Sequence, residues 1–99
     1  MSAARDISYD DHLGEALKDP QEAAAYLAAV IELGDQGTLL QALRQVAKAH
    51  GMAEIGRRAD LGEKTLFKVL SDTGNPTLET VSKVLQAMGL RLTVEPLPA

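Results

Sequence analysis

The stretch "MAEIGRRADLGEKTLFKVLSDTGNP", Met52 to Pro76, constrains this chain more than any other. Met52, Ile55 and Ala59 fall three and four residues apart, as do Leu66, Val69 and Leu70, and Asp60-Leu61-Gly62 breaks the pattern between them. Such spacing predicts two short helices joined by a tight turn, each with one apolar face. Helices shorter than about 12–15 residues are marginal in isolation, so this pair must lean on a core supplied by its neighbours.

The neighbours supply one. Asp19-Pro20-Gln21-Glu22 offers an N-cap, a proline at the first helical position and an acid at the third, a capping-box arrangement. Ala23, Leu27, Val30 and Ile31 follow at helical spacing, and Gly34 closes that helix. A shorter helix over Tyr9–Lys18 is expected before it. "GTLLQALRQVAKAHG" presents Leu39, Leu40, Leu43, Val46 and Ala47 on one face and stops at Gly51. Thr77–Met88 is helical again, with Leu78, Val81, Leu85 and Met88 inward and Gly89 as its stop. In Leu90–Glu95 the period changes to two, Leu90, Leu92 and Val94 alternating with polar residues, which predicts a strand ended by Pro96 and Pro98. A lone strand leaves its backbone groups unpaired. With no second strand in the sequence, pairing across a dimer or with another protein is expected. The sum is an all-α fold of about five helices with a short C-terminal β-strand: an acidic, partly helical N-terminal extension over 1–18, a helical domain over 19–89 with the short pair at 52–71, and a strand and tail over 90–99.

Only Tyr9, Tyr26 and Phe67 are aromatic, so the core must be aliphatic, and the absence of cysteine excludes disulfides and thiolate metal sites. No apolar leader or membrane-length run stands in the sequence, so the expectation is a cytoplasmic protein with no membrane association. The net charge is −4, but its distribution is uneven. Residues 1–37 hold eight acids against Arg5 and Lys18, a balance of −6, whereas residues 38–75 hold six bases against four acids, a balance of +2. An acidic front ahead of a mildly basic middle fits two surfaces with different partners, or simply a solvated acidic face.

A pair of short helices within a small helical bundle is the architecture of a helix-turn-helix DNA reader. That function requires the second helix to be aliphatic inside and able to reach base edges outside. With Leu66, Val69 and Leu70 inward, Lys64, Lys68 and Ser71 point outward, flanked by Thr65 and Phe67, with Glu63 at the tip. Lys64 suits guanine O6 and N7, Glu63 suits cytosine N4, and Phe67 suits a thymine methyl. Arg57 suits a phosphate, as do Asn75 and the free N–H groups where the Thr77 helix starts. Each has a second reading: Lys64 and Lys68 as solubilising side chains, Phe67 as a core-edge or dimer residue, Arg57 as an ordinary surface arginine, Asn75-Pro76 as a turn into a helix.

"IGRRADLGEKTLFKVLSDTGNPTLETVSKVLQAMGL" resembles the helix-turn-helix of the phage-repressor (XRE/Cro) type. More narrowly, "YLAAVIELGD" (Tyr26–Asp35), "LFKVLS" (Leu66–Ser71) and "GNPTLETVSKVLQAMGLRL" (Gly74–Leu92) resemble the addiction-module antidote proteins, the HigA-like antitoxins, over most of the chain. The pattern is departed from at three points: Asp60 stands for the turn glycine, Gly56 for alanine, and Gly62 for the serine that caps the second helix. Asp enters the left-handed region more readily than most residues, glycine caps almost as well as serine, and Gly56 is expected to loosen its helix by roughly 1 kcal/mol. The resemblance implies a phage-repressor-like bundle and a type II antitoxin that dimerises on double-stranded operator DNA, represses its own operon and neutralises a RelE/HigB-like ribonuclease toxin. Acidic residues 1–37 are then the expected toxin surface by charge complementarity.

Two further functions fit the same pattern: a stand-alone prophage-type repressor, and a toxin-binding module with little DNA binding. An enzyme is not expected, nor any cofactor. Asp10-Asp11-His12 and His50 are the only groups that hint at metal or base chemistry, and no phosphate loop, H-E-x-x-H or Ser-His-Asp pattern accompanies them.

Overall fold

The computed structural model describes residues 13–98, and among them the protein is entirely helical. Helix α1 covers residues 13–17, the part of the expected Tyr9–Lys18 helix that falls among the described residues. Then come α2 (Pro20–Leu33), α3 (Gln36–His50), α4 (Met52–Arg58), α5 (Glu63–Val69) and α6 (Leu78–Ala87).

Local chemistry sets each boundary. Asp19 caps α2 by accepting from the Gln21 N–H at 3.0 Å, and the Asp35 carboxylate caps α3 by accepting from the Thr38 N–H at 2.8 Å. The reciprocal capping-box bond from Glu22 is not formed, because the Asp19 N–H donates to the Ala16 carbonyl instead. Gly34 and Gly51 end α2 and α3 at φ 77° and 100°, a region closed to most side chains. Thr77 caps α6 through its hydroxyl, which accepts from the Thr80 N–H at 3.1 Å.

Helix α2 packs on α3, α3 on α4, and α4 in turn on both α5 and α6. The core joining them is wholly apolar among the described residues, with Leu17, Leu43, Val46, Ile55, Leu66, Leu70, Val84 and Met88 almost completely enclosed. At roughly 1.5–3 kcal/mol for each large aliphatic side chain buried, this shared core is what makes helices as short as α4 and α5 stable.

Three expectations need correction. Residues 90–98 form no strand. The Leu90 N–H donates back to Leu85 at 2.8 Å, and no described residue is in a strand, so an extended tail finds no partner among them. Of its alternating residues Leu90 packs partly buried against the core, while Leu92 is 41% and Val94 94% exposed. Ile31 and Leu78 are also not core residues, being 54% and 73% exposed. Successive helical residues diverge by about 100°, so Ala23, Leu27 and Val30 take the face toward α3 and leave Ile31 at its edge. Leu78 is the first residue of α6, whose buried residues all lie in its second half. Val84 and Ala42, which the spacing did not single out, are enclosed instead.

Gly74 is the tightest glycine. A Cβ there would run into the Val69 carbonyl oxygen and lie 3.0 Å from that of Lys68, because the chain turns back over the end of α5. Gly74→Ala is therefore expected to lower stability by about 1–3 kcal/mol in urea denaturation. Gly14→Ala, within helical residues 13–17 and with no atom within 4 Å, should raise it by roughly 0.5–1 kcal/mol. Equal effects at the two sites would contradict the packing described around Gly74.

Candidate nucleic-acid interface

Helices α4 and α5 have seven residues each and are joined by Ala59–Gly62. Three features hold the angle between them. Asp60 adopts the left-handed region at φ 60°, as the position of the turn demands. The Leu61 N–H reaches back to the Gly56 carbonyl at 2.7 Å. The return path brings the Leu61 carbonyl to within 2.9 Å of where a Gly56 Cβ would stand. Gly56 is thus more than a weak helix former, because its missing side chain admits the turn.

With Ile55 and Leu66 fully enclosed, the opposite side of α5 faces solvent. Glu63, Lys64, Thr65, Phe67 and Lys68 are all exposed and share one short helix. Phe67 is 44% exposed, which removes it from the core but not from its edge. Lys64 and Lys68 form no ion pair among the described residues. Ser71, expected outward, is half-buried and donates its hydroxyl to the Lys68 carbonyl at 2.8 Å, closing the end of α5. Asn75 and Thr77 precede α6 and are exposed. Asn75 accepts from Gln36 Nε2 at 3.4 Å, and the Thr77 hydroxyl is engaged in its cap, so a phosphate there would meet N–H groups rather than a free side chain.

Arg57 is exposed but not free. Its Nε donates to Glu54 Oε1 at 3.0 Å and its second nitrogen to Oε2, while Arg58 Nε also donates to Oε2 at 2.8 Å. Arg58 further reaches the Ala87 carbonyl at 3.3 Å, tying α4 to the end of α6. The hydrogen bonds from Arg57, then those from Arg58, pull the Glu54 carboxyl from an ordinary 4.5 down to about 2. Glu54 escaped sequence reasoning as a site residue, although its three- and four-residue spacing to Arg57 and Arg58 is the helical ion-pair pattern. The Gln36–Asn75 bond spans 39 residues and has no local signature. Of the groups that hinted at metal or base chemistry, Asp10, Asp11 and His12 lie outside the described residues. His50 ends α3 with its Nε2 enclosed and unpartnered.

The fold and this surface define a small helical protein presenting a short, polar, partly basic helix on an apolar support. Residues 8–96 match the family described as "Probable addiction module antidote protein". An "Uncharacterized protein" of Haemophilus influenzae is 36% identical over 86 residues, which is 87% of this chain and 89% of that relative. No solved structure matches the chain. The chain belongs to the addiction-module antidote family, and membership of such a family implies a toxin partner in general terms. Among the described residues no helix is long and apolar enough to cross a membrane.

Because the folded-state value of Glu54 lies below its unfolded value, its ion pairs contribute fully above about pH 4.5 and are lost as the pH falls through about 2. A carboxyl-carbon NMR titration should place the Glu54 midpoint at about 2, moving upward in Arg57→Ala. A midpoint near 4.5 in the unsubstituted protein would contradict the arrangement.

Proposed function

We propose that the protein is a HigA-like antitoxin of a type II toxin–antitoxin module with an XRE/Cro-type helix-turn-helix. In this reading it works in the cytoplasm as a homodimer, binds double-stranded operator DNA through α4 and α5, represses its own operon and neutralises a RelE/HigB-like ribonuclease toxin. It performs no catalysis of its own. The observation that carries the reading is α5 itself: five of its residues are exposed and able to meet DNA, over a Leu66 with no exposed surface at all.

Residue roles follow from chemistry. Lys64, near the start of α5, donates to guanine O6 and N7, and Glu63 accepts from cytosine N4. Phe67 lies against a thymine methyl, with Thr65 and Lys68 beside it reaching base or phosphate. Asn75 and the α6 N-terminus behind Thr77 take backbone phosphates. Arg57 joins them only by leaving Glu54, which sets a cost on phosphate contact. That competition favours a second reading, a toxin-binding module with little DNA binding, because it leaves Lys64 and Lys68 as the uncommitted cations of the pair.

A gel-shift titration on the chain's own upstream DNA and on scrambled DNA, at about 150 mM salt, separates the two. A specific shift at nanomolar protein is expected. Lys64→Ala should cost about 1–3 kcal/mol on the operator and relax specificity at one base pair; unchanged affinity would remove Lys64 from the contacts. Glu54→Gln, by releasing two arginines, should steepen the salt dependence by about one to two charges. No preference for the chain's own DNA would favour the toxin-binding module.

A further inference from the structure

Ile31 and Leu78 have core spacing in the sequence and surface positions in the fold, 54% and 73% exposed, and both line the same groove. It has a volume of about 360 Å³ and is formed by Val30 and Ile31 at the end of α2, Leu39 and Leu40 of α3, and Leu78 and Val81 of α6. Large aliphatic residues grouped at a surface mark a place that another molecule covers. Asp35 is the one charged residue that lines the groove and Glu32 follows Ile31 at its α2 edge, while the bases adjoining its α3 and α6 walls, Arg44 and Lys83, are paired with Asp72 and Glu79.

We infer that this groove takes a basic amphipathic helix of the protein partner, its apolar face on Ile31, Leu39 and Leu78 and its lysines or arginines toward Glu32 and Asp35. The inference rests on the antitoxin reading for the existence of that partner. A helix in an apolar groove is a recurrent mode of recognition, with apolar anchors giving affinity and rim charges giving specificity and rate. A second copy of this chain fits less well. It carries a net charge of −4, and its exposed apolar tail brings Arg91 and Glu95, which cancel. The groove meets the proposed phosphate site at Asn75 and at Leu78, the first residue of α6, so Ile31 and Leu39, away from that border, are the positions that tell the two surfaces apart.

The test is an amide NMR titration of the full chain with a synthetic amphipathic helix of leucine and lysine only, run beside its leucine–glutamate counterpart. The lysine peptide should shift Ile31, Leu39 and Leu78 saturably, and the glutamate peptide should not. Ile31→Lys, at an exposed position, should weaken the lysine peptide about tenfold with helicity and operator binding unchanged. Equal binding of both peptides, or shifts scattered over the acidic residues but absent from the groove, would overturn the inference. So would concentration-dependent self-association that Ile31→Lys abolishes, which would give the groove to a second copy. A specific operator shift without peptide binding would sink the inference alone; groove binding without an operator shift would support it and sink the DNA reading.

Discussion

Everything in this fold passes through the contact between Gly56 and the turn that follows its helix. Helix α4 is one of the two shortest complete helices, yet α3, α5 and α6 all pack on it. It can serve three neighbours because Ile55 is fully enclosed and because Gly56 lets the backbone of Leu61 come close. With a side chain at Gly56 the turn would have to move outward, and α5 would lose the packing that encloses its Leu66. The left-handed Asp60 is the strain accepted for that turn. Helix α5 has neither the length nor a side-chain cap to persist alone; packing gives it order, and the same packing turns its polar residues to solvent.

Electrostatics then set how the surface can act. The chain is acidic overall, with its bases gathered in the middle, but Glu54 binds two of those bases. Exposed ion pairs contribute little to stability, so the pairs around Glu54 bear chiefly on which arginines a phosphate can recruit. Arg58, which also holds the Ala87 carbonyl, is the more committed of the two. On the proposed reading, DNA contact leans on Lys64 and Lys68 and on N–H groups rather than on a broad basic face. The apolar groove beside Ile31, with Asp35 at its edge, is a different kind of surface, and on the proposed reading the two take different partners.

Much of this was legible in the residues. Asp19-Pro20, Gly34, Gly51 and Gly89 marked helix ends because these depend on neighbours within a few positions. The short pair was readable from three- and four-residue spacing, and Asp60 from the need for a left-handed turn. Spacing misplaced Ile31 and Leu78 because periodicity says which face is apolar, not whether a neighbour is there to cover it. It proposed a strand at Leu90–Glu95 for the same reason: alternation describes a side-chain pattern, while a strand also needs a second backbone. The outward side of α5 followed from its inward side. The grip of Glu54 on Arg57 could have been read from spacing, whereas the bond between Gln36 and Asn75 could not, since only the folded chain brings them together.

The most direct test of the account is an amide NMR footprint of the full chain on a duplex of its own upstream DNA. Shifts confined to residues 57–58, 63–68, 75, 77 and 78, with Ile31 and Leu39 unmoved, are the predicted result. Shifts centred on the Ile31 groove, or none in α5, would contradict the claim that the two short helices form the DNA-reading surface.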